Sequence, residues 1–282
     1  METLLTGDGL RLHLRRWPAQ GPAHGTVQIV HGLGEHIGRY EGLASALNAA
    51  GWHAVGHDLR GHGRSEGARG QIAGAHTLLV DLAAVIDHLR QAGAGPHVLL
   101  GHSLGGLIAA RFVGESLLHN AARWARDVDG LVLSSPALDA GLGRVRGALV
   151  TLLARTLPDL PLPNGLDPAW ISRDPAVVRR YREDPLVHGR ITPQLAQFIV
   201  DAGELVLQHA GQWNTPTLLM WAGADRCVAA AGSAGFARLA PAETVTARAF
   251  PTLAHEIFNE PERRQVIAAL TTWLQRFQIR PC

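Results

Sequence analysis

The sequence contains no lysine, and this absence excludes two kinds of active site. All 26 basic residues of the 282-residue chain are arginine. A Schiff-base enzyme needs a lysine amine, and the phosphate-binding P-loop carries a lysine near its end. Neither site can be built from this chain.

The chain also has few cysteines, a small net charge and no long apolar run. Cys227 and Cys282 are the only cysteines, so we expect no disulfide framework. The net charge is +2 and the arginines are scattered, so no basic stripe predicts a nucleic-acid partner. No run approaches the roughly 18 apolar residues of a membrane span, and the first residues lack the apolar centre of a signal peptide. These absences predict a cytoplasmic protein.

The chain does contain short apolar runs that alternate with amphipathic segments. The short apolar runs predict strands at 26–30, 52–58, 97–101, 130–135, 217–223 and 245–250. Helical patterns lie at 40–50, 77–91, 104–118 and 261–277. A segment with alternating leucines at 10–17 predicts an edge hairpin. This order indicates an α/β fold with a mainly parallel central sheet and helices on both faces.

The alternation breaks between residues 137 and 212. This region has no convincing strand, and its sequence is helix-like and punctuated by proline, as in VRGALVTLLARTLPDLPLP. Both flanks return to the same predicted sheet. We therefore predict that 137–212 is a helical cap inserted into a core of residues 1–136 and 213–282, with a separate domain as the alternative.

The stretch VLLGHSLGGLIAAR, residues 98–111, joins a predicted strand to a predicted helix through a glycine-rich turn. Gly101, Ser103 and Gly105 match the G-x-S-x-G pattern of a nucleophile elbow, in which the serine sits on a strained turn at the sheet edge. The glycines lack the Cβ atoms that would collide where strand and helix meet. Ser103 is therefore the predicted nucleophile.

Serine needs a histidine base, which is itself oriented by a carboxylate. After an elbow these partners follow in the order acid, then histidine. Asp225 comes just after the strand predicted at 217–223, and His255 comes after the strand predicted at 245–250. Both therefore lie at the sheet edge where Ser103 projects. The alternative for Asp225 is a helix N-cap.

Two backbone N–H groups are expected to form the oxyanion hole. One belongs to Leu104, which follows the nucleophile, and the other to the loop after an earlier strand. The loop at 31–34, His-Gly-Leu-Gly, follows the first buried strand. Its glycines allow backbone conformations that other residues avoid. Leu33 is therefore the second predicted donor.

Two rival sites fit the sequence less well. Gly32, Gly34 and Gly38 follow a strand, and Asp58 ends the next one, as in a dinucleotide-binding unit, but the third glycine comes one place too late. The segments HGLGEH, HDLRGH and HEIFNE group histidines and acids, but none matches the H-E-x-x-H metal pattern. We expect no metal and no other cofactor.

Segments along nearly the whole chain resemble, in order, those of the monoacylglycerol lipase and lysophospholipase group of α/β-hydrolases. They are HGLGEHIGRY (31–40), DLRGHGRSEG (58–67), GHSLGG (101–106), SRDPAVVRRYREDPLVHGRIT (172–192), AGADRCV (222–228) and HEIFNE (255–260). The resemblance implies a Ser103–Asp225–His255 triad with Leu33 and Leu104 as the oxyanion hole. It also implies that Glu35, Arg39 and Tyr181 line a polar pocket for glycerol. Phe258 departs from the group, because some relatives carry a polar side chain there.

The expected activity is that of a cofactor-independent serine esterase that hydrolyses monoacylglycerols through an acyl-enzyme. Lysophospholipase, thioesterase and aminopeptidase activities stay open because a fold does not determine its substrate. A non-catalytic ligand-binding protein is a further alternative. The sequence does not indicate an oligomeric state.

Apolar residues of the cap suggest two further expectations. Some are expected to wall an acyl tunnel, with ordinary packing inside the cap as the alternative: Leu138, Leu142, Leu149, Leu152, Leu153, Ile171 and Phe198. Val145, Leu149, Leu152 and Leu153 share one helical face. If that face is exposed, we expect transient contact with a membrane or micelle.

Overall fold

The computed structural model describes residues 2–91 and 95–278. Its centre is an eight-stranded sheet in the order β1-β2-β4-β3-β5-β6-β9-β10. The strands are β1 Glu2–Leu5, β2 Arg11–Trp17, β3 Thr26–Val30, β4 His53–His57, β5 His97–His102, β6 Gly130–Ser134, β9 Thr217–Ala222 and β10 Val245–Phe250. Only the pairs β1–β2 and β2–β4 are antiparallel within this sheet. The predicted α/β-hydrolase fold is confirmed, and the edge hairpin is present as β1 and β2.

Eight α-helices accompany the strands in the described part of the chain. They are α1 Glu41–Ala49, α2 Thr77–Arg90, α3 Leu104–Gly114, α4 Arg144–Thr156, α5 Pro175–Glu183, α6 Pro193–His209, α7 Ala230–Leu239 and α8 Arg263–Leu274. None of these helices is long and apolar enough to cross a membrane.

The sheet separates two hydrophobic clusters. Apolar side chains of α1 and α8 fill the cluster on one face. Those of α2, α3, α6 and α7 fill the other. Strand β5 lies between them with all six residues buried, which suits a central strand of a parallel sheet. The end of β5 that leads to Ser103 is therefore packed on both faces of the sheet.

Between β6 and β9 the chain leaves the sheet and forms α4, α5, α6 and the small antiparallel pair of β7 Leu162–Pro163 with β8 Arg190–Ile191. Helix α6 packs against α3 through buried Leu195, Phe198 and Val206, so it shares the hydrophobic core of the sheet. Helix α4 contacts α6 but buries far less of its surface. The cap boundaries at 137 and 212 stay a prediction.

Candidate active site

Ser103 occupies a strained turn between β5 and α3. Its φ and ψ are 54° and −120°, a conformation rare for a residue with a side chain. A Cβ at Gly105 would overlap the carbonyl oxygens of Val30 and His31, and one at Gly101 would overlap that of Gly105. Glycine at both positions therefore lets the strand and helix approach closely enough to form the turn. Ser103 is partly exposed, whereas its neighbours on both sides are buried.

Asp225 and His255 follow β9 and β10 and are joined by a hydrogen bond of 2.7 Å between Asp225 Oδ2 and His255 Nδ1. The other carboxylate oxygen, Oδ1, accepts the backbone N–H groups of Cys227 and Val228. Burial opposes ionisation of Asp225, but the hydrogen bond with His255 and these N–H groups outweigh it and lower the pKa of Asp225. The carboxylate is therefore ionised at neutral pH and holds the imidazole in one orientation.

His102, which precedes the serine, packs against the same imidazole. The centroids of the His102 and His255 rings are 4.7 Å apart, and His102 Nδ1 lies 3.1 Å from Ser134 Oγ. Burial, assisted by the neighbouring His255, lowers the pKa of His102 to about 4, so this ring is neutral at physiological pH. Nothing in the sequence pattern indicated this contact between His102 and His255.

Ser103 Oγ forms no hydrogen bond with any described residue in this structure. Such bonds are often long in free enzymes and tighten only when substrate binds.

Leu33 and Leu104 present backbone N–H groups that donate to no acceptor among the described residues. Leu104 opens α3 directly after the nucleophile. Leu33 lies in the loop after β3, where the neighbouring Gly34 has a φ of 78°. A Cβ at Gly32 would lie 3.2 Å from Ser103 Cβ, so this loop borders the serine. Two N–H groups without a described acceptor therefore lie in the turn of Ser103 and in the loop beside it, and their role as an oxyanion hole stays a prediction.

Glu35, Arg39 and Tyr181 lie together, whereas their role in a glycerol pocket stays a prediction. Arg39 Nη1 contacts Glu35 Oε2 at 2.5 Å, and the guanidinium lies 4.7 Å from the centre of the Tyr181 ring on α5. Burial opposes ionisation of Glu35, but the attraction of Arg39 outweighs it and holds the pKa of Glu35 well below its usual range. Glu35 and Arg39 line a narrow cleft, together with His102 and Phe258.

Sequence reasoning missed two acidic residues in the loop that carries His255. Glu256 binds Arg39 through both carboxylate oxygens. Glu260 is fully buried and accepts hydrogen bonds from Ala254 N, Ser172 Oγ and Arg173. Both belong to the HEIFNE segment, but nothing in its spacing indicates Arg39, Ser172 or Arg173 as partners, because these lie far away in the chain.

The residues of the rival sites have other roles. Asp58, the candidate ribose ligand, is buried and accepts the backbone N–H groups of Ile37 and Arg64. Asp225, Cys227 and His255 bring ligand atoms within 4.8 Å of one another. Because Asp225 and His255 already bind each other, a metal there would have to break their hydrogen bond.

The fold and this geometry agree with the comparisons to known proteins. A family model described as serine aminopeptidase, S33, matches residues 21–262. The chain belongs to this family of α/β-hydrolases. The resemblance inferred from the sequence is thereby confirmed.

Named relatives of this α/β-hydrolase are similar over nearly their full length. It is 33% identical to a monoacylglycerol lipase of Mycolicibacterium smegmatis, over 94% of this chain and 93% of that one. It is 30% identical to the human monoglyceride lipase, over 97% and 89%. A crystal structure of the monoacylglycerol lipase of Paleococcus ferrophilus superposes with a TM-score of 0.84 at 34% identity, covering 94% of this chain and 99% of that one.

Proposed function

We propose that this protein is a serine esterase that hydrolyses monoacylglycerols to a fatty acid and glycerol. The observation that carries the proposal is the Asp225–His255 hydrogen bond at the sheet edge where Ser103 occupies its strained turn. The N–H groups of Leu33 and Leu104, which donate to no described acceptor, lie in that turn and in the neighbouring loop. Its relatives in Mycolicibacterium smegmatis, Homo sapiens and Paleococcus ferrophilus carry the corresponding lipase names.

In this mechanism Ser103 Oγ attacks the ester carbonyl while His255 Nε2 removes its proton. Nδ1–H of His255 donates to Asp225, which leaves the Nε2 lone pair free to act as the base. The N–H groups of Leu33 and Leu104 bind the developing oxyanion. The protonated imidazole then gives its proton to the leaving glycerol oxygen. Water, activated by His255, attacks the acyl-enzyme and releases the fatty acid.

The site favours an ester over the amino terminus of a peptide. An aminopeptidase must bind the ammonium group of its substrate with a spare carboxylate. Glu35, Asp225 and Glu256 are the carboxylates that flank the site, and each already accepts from at least two donors. Glu35, Arg39 and Tyr181 are the polar residues that we propose to lie nearest the uncharged glycerol, as the resemblance implies.

A groove between α4 and α6 is the proposed path for the acyl chain. This open groove has a volume of about 550 Å³. Its lining combines Leu138, Ile199 and Leu207 with acidic residues, Asp139, Asp201 and Glu204. Leu138 follows Ala137, whose N–H donates to the carbonyl oxygen of Ser103, so the groove begins close to the nucleophile. Of the residues expected to wall the tunnel, Leu149 and Leu152 instead face solvent.

Helix α4 is the proposed contact with a membrane or micelle. Val145, Leu149 and Leu152 are 84%, 53% and 58% exposed, so the apolar stripe found in the sequence is not buried against the protein. An apolar surface beside the groove would allow a lipid to leave its bilayer without crossing water. The location in the cytoplasm stays a prediction.

The test is a substrate panel of mono-, di- and triacylglycerols, p-nitrophenyl esters and aminoacyl anilides. We expect the highest kcat/KM for a monoacylglycerol, because one groove admits one acyl chain. Ser103→Ala should lower ester turnover by roughly 10⁴-fold or more while the protein stays folded. A fluorophosphonate should label the parent protein once, at Ser103. A preference for triacylglycerols or anilides, or labelling at another residue, would contradict the proposal.

A further inference from the structure

A continuous chain of buried hydrogen bonds connects the oxyanion loop to the loop of the catalytic histidine. It begins at Glu35, two residues after the donor Leu33. Glu35 Oε1 accepts the N–H of Gly32 and the hydroxyl of Tyr40, both at 2.7 Å. Glu35 Oε2 binds Arg39. The carboxylate therefore holds the backbone on the amino-terminal side of Leu33.

The same arginine binds the other loop. Arg39 Nη1 and Nη2 contact Glu256 Oε1 and Oε2 at 2.6 and 2.8 Å, a bidentate pair. Glu256 directly follows His255 in the chain. Bidentate geometry constrains both distance and orientation, so Arg39 restricts how the two loops move relative to each other.

The three side chains have little freedom to exchange partners. Those of Glu35, Arg39 and Glu256 are 5%, 10% and 6% exposed. Tyr181 of α5 lies over the guanidinium, with its ring centre 4.7 Å from Arg39 Cζ. A buried ion pair is costly to break because the remaining charge loses its partner without regaining water.

We propose that Glu35, Arg39 and Glu256 act as one positioning unit that sets the place of the oxyanion donors relative to the imidazole of His255. This inference rests on the proposed esterase function. It goes beyond the glycerol cleft, because a positioning unit acts on every ester, whether or not the substrate contains glycerol. A displacement of about 1 Å between such groups can cost on the order of a hundredfold in rate.

The experiment compares Glu35→Gln, Glu256→Gln and Arg39→Lys on two substrates, a monoacylglycerol and p-nitrophenyl butyrate. Each glutamine keeps the size of the side chain and removes its charge, and lysine keeps the charge but reaches one carboxylate at a time. We expect kcat to fall by about 10- to 100-fold on both substrates with little change in KM. The rate of fluorophosphonate labelling at Ser103 should fall by a similar factor.

Glu115→Gln is the matched control. Glu115 is also buried, pairs with an arginine four residues away, Arg111, and accepts a backbone N–H, that of Ala122. It lies beyond the far end of α3 from Ser103. We expect this variant to lose stability, measured by thermal unfolding, but to keep kcat on both substrates.

The double variant Glu35→Gln with Glu256→Gln tests whether the residues act as one unit. If they do, the decrease in kcat of the double variant should be close to that of the worse single variant. Either change alone already removes the connection between the two loops. Three results would each overturn the inference. They are decreases in kcat that multiply in the double variant, decreases confined to the monoacylglycerol, and an equal decrease in Glu115→Gln. If the parent protein hydrolyses p-nitrophenyl butyrate but not monoacylglycerols, the proposed substrate fails while the positioning test remains valid.

Discussion

Ser103 and Cys227 illustrate how a single residue depends on its immediate surroundings. The backbone of Ser103 has a positive φ, which is strained for a residue with a side chain. Ser103 is partly exposed, whereas the neighbouring residues are buried. Cys227 follows Asp225 by two residues, and its N–H donates to that carboxylate at 2.8 Å. Its side chain is half-buried against Ile171, Val177 and Tyr181. A change at Cys227 therefore acts on the acid of the proposed triad.

We predict that N-ethylmaleimide modifies Cys227 slowly at neutral pH and that the adduct lowers esterase activity. Burial, together with the Asp225 carboxylate, raises the pKa of the thiol, so little reactive thiolate forms. Once attached, the adduct must displace the loop of Asp225, which can cost on the order of a hundredfold in rate. Mass spectrometry would locate the adducts while activity is measured.

Cys227→Ser should abolish most of that sensitivity. The other cysteine, Cys282, lies outside the described residues, and mass spectrometry separates its adduct from that of Cys227. Complete modification of Cys227 with an unchanged rate would show that the adduct does not reach the triad.

At the scale of secondary structure, the packing of α3 against β3 and the loop after it leaves no space for a side chain at Gly105. A Cβ there would overlap the backbone of β3 and the oxyanion loop, neither of which can rotate away. We predict that Gly105→Ala destabilises the protein by about 2 kcal/mol or more and lowers activity, because strand and helix must separate. Denaturant unfolding and ester turnover would measure both effects.

Gly235→Ala in α7 is the matched control. This position has no neighbouring atom within 4 Å of a Cβ, and alanine favours helix over glycine by about 0.5–1 kcal/mol. We expect equal or higher stability and unchanged turnover. A Gly105→Ala protein as stable and active as the Gly235→Ala protein would refute the steric argument.

The exposed stripe of α4 predicts a measurable affinity for lipid bilayers. Leu149→Asp combined with Leu152→Asp places two charges on this stripe, so co-sedimentation with liposomes should fall at least severalfold. Both residues are exposed, so the fold should be unaffected. Leu239→Asp, at an exposed leucine that ends α7, controls for a general loss of apolar surface. Unchanged binding of the double variant would eliminate α4 as the contact.

At the scale of the whole molecule, the interior holds several neutral histidines. His57 and His102 are fully buried, and burial lowers the pKa of His57 to about 3 and that of His102 to about 4. Both ring nitrogens of His57 have no hydrogen-bond partner among the described residues. The unfolded chain accepts protons near the ordinary histidine pKa of about 6.5, whereas the folded protein resists them.

We therefore predict that stability is greatest above pH 6.5 and falls as the pH decreases from there toward 4. Between these pH values the unfolded state binds more protons, so acid favours unfolding. Each such histidine should cost about 2 kcal/mol at pH 5. Denaturant unfolding at pH 7.5 and pH 5 would measure the difference. His57→Leu should reduce it, whereas His119→Gln, at an exposed histidine, should not. An unchanged difference in His57→Leu would contradict this account.

The sequence by itself determined the order of the elements and the candidates for nucleophile, acid and base. Short apolar runs could only be buried strands, and the glycines around Ser103 left few other reasons for that turn. Because parallel strands end at one edge, the positions of Asp225 and His255 after their strands were sufficient to bring them together there.

Only the tertiary structure decided which charges meet across long stretches of chain. Glu256 lies 217 positions from Arg39, and Glu260 lies 88 from Ser172. The sequence likewise could not decide whether the leucine stripe of α4 is covered, because the same helical period serves a buried face and an exposed one. Local patterns encode which face of an element is apolar, but the partner of that face depends on how the elements pack.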